Sequence, residues 1–173
     1  SSTIKRQNDT RKLMTSIIEE MGESRNRIIE INNKLEKSHR NILDSINYAK
    51  GIQNSMLVDS RVVDEHFSDN FIMYLPKENV SGDFYIFHEM GDMLLFGVAD
   101  CTGHGVPGAF LSILGVTYLN EIIKVGAYVN PASILEELRD RIKAAFSQFG
   151  NDNYIYNSLD MSLCSLHVPT KTL

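Results

Sequence analysis

Hydrophobic and polar positions follow two different rules along this chain. From about residue 4 to residue 57, apolar and small residues recur in alternating steps of three and four: Met14, Ile17, Met21, Ser24, Ile28, Ile31, Leu35, Ser38, Ile42, Ser45, Ala49, Ile52 and Met56. That spacing is a heptad seam. The stretch contains no proline and is longer than most globular helices, so it predicts one long helix. Glu, Lys, Arg and Asn flank the seam, as a solvated face requires. Serine at three seam positions makes any pairing weak and able to change register. The pattern admits a parallel dimeric coiled coil joined along Ile28, Ile31, Leu35, Ile42, Ala49 and Ile52. It also admits a helix that packs on its own domain or serves as a linker. Ile18, Ile29, Leu43 and Ile46 widen the stripe, which would let the last turns dock on the remainder.

After residue 57 the pattern becomes mixed. Phe71 to Leu75 predicts a short strand stopped by Pro76, and Phe84 to His88 a second. Gly91-Asp92 is a hairpin turn signal. Met93 to Ala99 is a continuous apolar run and predicts a strand buried on both faces. Val106 to Lys124 is apolar nearly all round, as in a helix buried against a sheet, and Pro107 suits its first turn. Asn130-Pro131 opens a second helix to about Phe149, with Ile134, Leu135, Leu138, Ile142, Ala145, Phe146 and Phe149 on one face. Residues 151–157 are polar and loop-like, and Asp160 to Val168 predicts a last strand. The order predicts an α+β fold with a mainly antiparallel sheet behind a long helix: a stalk over 1–57 and a compact domain over 58–173.

Composition sharpens the division. The 173 residues are 43% hydrophobic and 23% charged, which excludes a disordered chain. The net charge of −5 leaves no basic excess for nucleic acid. Residues 1–57 carry ten Lys/Arg against seven Asp/Glu, net +3, and the remainder is net −8. No apolar stretch is expected to reach the roughly 20 residues of a membrane span. Two cysteines, Cys101 and Cys164, make no disulfide framework and suggest a reducing, cytoplasmic setting.

An acidic domain invites a search for cation ligands. Two segments place an aspartate beside glycine at a strand boundary: Ser81-Gly82-Asp83-Phe84-Tyr85, and Ala99-Asp100-Cys101-Thr102-Gly103-His104-Gly105-Val106-Pro107-Gly108. The hairpin between them returns the chain and can bring Asp83 close to Asp100. Two carboxylates there would suit a hard cation, Mg²⁺ or Mn²⁺ in preference to Zn²⁺. The plainer reading makes each aspartate a turn or cap residue. Gly82, Gly103 and Gly105 permit tight turns, and His104 is read as support for the turn. Zinc at His104 is disfavoured, because His88 lacks a ligand spacing with it. Cys101 has no adjacent base to make it a nucleophile.

These two segments, with Leu119-Asn120-Glu121-Ile122, Pro131 to Leu138 and Leu159-Asp160-Met161-Ser162-Leu163-Cys164, resemble the metal-dependent protein serine/threonine phosphatases of the SpoIIE/RsbU branch. Asn47 to Gln53 is similar to the helix that leads into that domain. The resemblance implies a PPM-type α-β-β-α sandwich with a two-metal centre at one edge, loaded with Mn²⁺ or Mg²⁺. By motif position it implies that Asp83 binds one metal, that Asp100 bridges two, and that the main-chain carbonyl of Cys101 is a further ligand. A metal-activated water would attack a phosphoserine or phosphothreonine in line.

The sequence departs from the family at two points. Larger relatives have a histidine two residues after the bridging aspartate, where this chain has Thr102, so no acid role passes to His104. A T-D-G-like segment and a late aspartate that complete the metal site are also missing, so the chain is expected to hold the N-terminal part of the domain and part of its site. The implied substrate is a phosphorylated regulatory protein such as the antagonist of an anti-sigma factor. An upstream sensor, membrane-tethered or not, would act through the helix, with the protein a homodimer in the cytoplasm. The alternative is a non-catalytic dimerisation and relay module on an incomplete phosphatase fold.

Overall fold

The computed structural model describes residues 2–126, 130–147 and 158–173. Helix α1 runs from Ser2 to Met56, 55 residues without a break. Gly22 and Gly51 both stay helical, with open space where a side chain would sit. The chain divides into two compact units, residues 1–45 and 46–173. This division falls inside α1, whereas charge and pattern divide the chain after Leu57. Within the first unit, the seam residues Ile17, Met21, Ile28, Ile31, Leu35 and Ile42 are all exposed.

The second unit begins with the last turns of α1. A single-turn helix α2 (Ser60–Asp64) follows, its first turn capped by Asp59, whose carboxylate accepts from the Arg61 N–H. Strands β1 (Phe84–Met90) and β2 (Met93–Cys101) form a hairpin that turns at Gly91, φ 63°. Helices α3 (Gly105–Val125) and α4 (Pro131–Ser147) follow, then strand β3 (Leu159–His167). The sheet order is β1-β2-β3, antiparallel throughout, with Phe84 opposite Ala99 and Asp100 opposite Asp160. The α+β class and the antiparallel sheet expected from the sequence are therefore present.

Alternation along the strands sorts side chains onto two faces. Phe84, Ile86, Leu95, Ala99 and Cys101 face α3 and α4 and pack with Leu111, Val116, Leu119, Ile122, Ile134 and Leu138. Phe87 and Leu94 face the other way and pack with Val63, Phe67, Ile72 and Phe96. Each core leucine or isoleucine buried this way contributes about 1.5–3 kcal/mol of transfer free energy.

Three expectations are corrected. Phe71 to Leu75 forms no strand, because no strand runs beside it among the described residues and a ladder needs a partner. Its alternation survives in burial alone: Ile72 and Tyr74 are half-buried, while Phe71, Met73 and Leu75 are exposed. β2 is buried on both faces only in its first half. Leu94 and Leu95 are buried, but Val98 is 62% exposed, because helices cover only one side there. Finally, α3 is by length and composition apolar enough to cross a membrane, contrary to expectation. Half of that window is buried inside this fold, so its hydrophobicity is accounted for by packing on the sheet. The expected loop at 151–157 and the end of α4 at Phe149 lie outside the described residues.

Candidate functional site

The site grows from the open end of the β1–β2 hairpin. Phe84 pairs with Ala99, so the residues one step further out, Asp83 and Asp100, stand across from each other on the face opposite α3 and α4. Their carboxyls are close enough to interact directly. Burial first, and then the Asp100 carboxyl, push the Asp83 carboxyl above the usual carboxylate range, while Ser81 opposes the shift. Two like charges held this close repel unless a proton or a cation lies between them.

Three backbone segments meet behind the pair. A methyl group on Gly82 would stand 2.7 Å from the Cys101 carbonyl oxygen and 2.9 Å from that of Gly103. One on Gly108 would stand 2.6 Å from the Gly103 oxygen. Only glycine permits this approach, so the loop before β1, the turn after β2 and the first turn of α3 are locked at backbone contact. The turn uses two positive φ angles, 92° at Gly103 and 63° at Gly105. His104 fills the N-cap position of α3 without capping it. Its Nδ1 lies 2.6 Å from Glu78 Oε1 instead, tying the turn to the loop before β1. A side chain on Gly105 would collide with the same Glu78 carboxylate. Thr102 fastens the other side, donating its N–H to the Ser158 carbonyl and accepting the Ser158 N–H at 2.7 Å.

The residue that the motifs do not reveal is Gln53. It lies in the last turns of α1 and is 3% exposed. Its Nε2 donates to the Ser81 carbonyl at 2.6 Å and to Ser112 Oγ at 2.7 Å, and its Oε1 accepts the Ser81 N–H at 3.1 Å. One amide therefore satisfies both backbone groups of the residue two before Asp83 and joins them to α3. A glutamine at a seam-adjacent helix position reads as solvated, so the only sequence signal was the likeness of Asn47–Gln53 to a leading helix. Gln53→Ala leaves the buried Ser81 N–H without its partner and takes one of two donors from the Ser81 carbonyl, which keeps the Ser112 hydroxyl at 3.2 Å, and the expected cost is about 2 kcal/mol. Chemical denaturation measures it. A change within about 0.5 kcal/mol would mean that the clamp does not support the loop.

Other sequence candidates are placed plainly. Burial pushes the Cys101 thiol up to about 12, reinforced by the Asp100 and Asp83 charges, so it is not a nucleophile near neutral pH. His88 lies on the helix-covered face beside Asn120, and burial lowers it below the usual histidine value. Ala49 and Ile52 lie in the part of α1 that belongs to the second unit. Asp160 stands opposite Asp100 in the ladder, extending the row of acidic positions across all three strands. Even so, no set of three or more His, Cys, Asp or Glu side chains is gathered for a metal ion among the described residues. The donor chemistry present, two adjoining carboxylates, fits a hard divalent cation and lacks the soft ligands of a zinc site.

No family model matches the chain, and no curated protein matches it. Among eleven solved chains that do match is the SiaA-PP2C domain of Pseudomonas aeruginosa, with 31% sequence identity and a TM-score of 0.65. The match covers 76% of this chain and 51% of the other, so the chain spans about half the length of that relative. With that identity carried on a common fold, the chain is similar to a part of a PPM-type (PP2C) phosphatase domain.

Proposed function

We propose that this chain is the metal-binding half of a protein serine/threonine phosphatase of the SpoIIE/RsbU-like branch, acting on a phosphorylated regulatory protein. The observation that carries the reading is the placement of Asp83 and Asp100 side by side at the hairpin end of a PPM-type fold. Asp83 and Asp100 would hold Mn²⁺ or Mg²⁺, with the Cys101 carbonyl beside them. When bound, the cations would supply Lewis acidity to a water nucleophile and to the phosphoryl oxygens. The chain's own contribution is preorganisation. The Gly82–Gly103–Gly108 contact, the Glu78–His104 pair and the Gln53 clamp fix both carboxylates before substrate arrives. The test is hydrolysis of a phosphoester with and without Mn²⁺, run on this chain and on the full-length protein. Mn²⁺-dependent turnover by the full-length protein is expected, and none with any divalent cation would overturn the reading.

A second reading follows from the exposed seam of α1 and from the absence of a three-ligand cluster among the described residues. It makes the chain a coiled-coil dimer that relays the state of an upstream cytoplasmic or membrane-tethered sensor, whether or not it catalyses. A serine-interrupted seam suits such a relay, because its register changes at low cost. With Cys164 replaced by Ser, Ile28→Cys and Leu35→Cys chains are expected to oxidise to covalent dimers. Their failure to do so at concentrations where the protein is active removes the relay.

A further inference from the structure

Strand β3 lies at the edge of the sheet. One side of it pairs with β2, and no strand pairs with the other among the described residues. An open edge is a row of free N–H and C=O groups, which proteins normally cover or blunt. β3 contains neither proline nor lysine, the usual blunting residues. The last member of the row shows which groups face out. His167 donates its N–H away from β2, to the Thr172 carbonyl at 2.8 Å. The next residue, Val168, donates the other way, to the Asp92 carbonyl in the β1–β2 turn at 2.9 Å. Alternation along the strand therefore turns the N–H and C=O groups of Leu159, Met161, Leu163 and Ser165 outward with those of His167.

The chain itself begins to fill that edge. After His167 it turns back through residues 168–171, and Thr172 forms an antiparallel bridge with His167. The turn is well specified. Lys171 donates its N–H to the Val168 carbonyl at 3.4 Å, and Pro169 presets φ at the first central position. Lys171 alone among the described non-glycine residues has a positive φ, 54°, a backbone that persists only where its surroundings hold it. The Thr170 hydroxyl ties both ends together, 2.6 Å from His167 Nδ1 and 2.9 Å from Thr172 Oγ1. A tight turn of this kind fixes the register of the strand that follows it. Each step back along β3 is one step forward beyond the turn, so Leu173 falls opposite Leu166, which packs on the open-face cluster.

We propose that the outer edge of β3 is a docking edge for the polypeptide that follows Leu173 in the full-length protein. That segment lies on the edge as an antiparallel strand, in the register set by the His167–Thr172 bridge. The similar phosphatase domain carries polypeptide beyond the matched 51% of its chain, so length for such a strand exists on this fold. Leu163 and Met161 pack against the helix-side core. The positions opposite them, three and five beyond Leu173, share that face and carry apolar side chains. The position six beyond Leu173 arrives beside Asp160, which pairs on its other side with Asp100. One strand spacing is about 4.8 Å, so the docked segment brings its own groups to the acidic end of the sheet. The proposal stands on the edge and the turn, and holds whether or not the aspartates bind a cation.

The test is amide hydrogen exchange, read residue by residue on the 173-residue chain and on the full-length protein. In the 173-residue chain the outward amides of Leu159, Met161, Leu163 and Ser165 are expected to exchange fast, and those of Asp160, Ser162 and Cys164, turned toward β2, slowly. In the full-length protein the four outward amides should slow at least about a hundredfold. Lys171→Pro cannot hold a positive φ. In the full-length protein it should return the outward amides to fast exchange, while Asp160 and Ser162 stay slow and report an intact sheet. Fast outward exchange in the full-length parent overturns the proposal. So does slow outward exchange in the 173-residue chain, which would mean that a second copy or another group already holds the edge. Protection that survives Lys171→Pro also overturns it, because the docked strand would then come from elsewhere.

Discussion

Asp100→Asn in the full-length protein is expected to lower Mn²⁺-dependent phosphoester hydrolysis at least about a thousandfold, a loss of roughly 4 kcal/mol of transition-state stabilisation. The substitution conserves shape and removes one charge. That charge stands across the hairpin from Asp83 and raises its carboxyl, so the pair exists under mutual repulsion. Such an arrangement opposes folding in the metal-free chain and favours a cation once one is present. Relieving it should leave the metal-free protein at least as stable as the parent, which thermal unfolding in a chelator measures. Loss of turnover with unchanged or raised stability is the signature of a functional carboxylate. Turnover within about tenfold of the parent would assign Asp100 to the turn and leave the phosphatase reading without its centre.

Gly82→Ala is expected to damage fold and site together. The added methyl group would stand 2.7 Å from the Cys101 carbonyl and 2.9 Å from the Gly103 carbonyl. Both obstacles are backbone, so no side chain can swing aside. Either the loop before β1 or the turn after β2 must shift by several tenths of an ångström, at an expected cost of about 3–4 kcal/mol. A conservative glycine substitution with no such contact, Gly51→Ala in α1, provides the comparison. There the added methyl meets nothing within 4 Å, and helix propensity predicts a gain of up to about 1 kcal/mol. Denaturant midpoints at constant slope give both numbers. Equal midpoints for the Gly82 and Gly51 variants would mean that the backbone contact behind the aspartates is not tight in solution.

Much of the architecture is legible residue by residue. The three-and-four spacing sustained from Met14 to Met56 predicts α1, and Gly91-Asp92 between apolar runs predicts the hairpin. Pro107 and Asn130-Pro131 mark the starts of α3 and α4 to within about two residues. These elements are specified locally, by spacing, caps and turn residues. Phe71 to Leu75 shows where local rules run out. It has the alternation of a strand, but a ladder needs a neighbour that alternation cannot supply. Val98 shows the same limit, since an apolar run cannot say which of its faces will find cover.

The site divides in the same way. That Asp83 and Asp100 end neighbouring strands follows from sequence, because a short hairpin sets the register and the register puts them opposite each other. How they are held does not. Gln53 and Ser81 are 28 positions apart, and His104 and Glu78 are 26 apart. Neither pair shares a periodicity or a motif. The sequence alone determined the long helix and the two helices that follow the hairpin, where the hairpin turns and which carboxyls it returns to one end, because those depend on neighbours in the chain. Only the tertiary structure decided which amide and which histidine brace the backbone that carries those carboxyls, because that depends on which distant surfaces pack together.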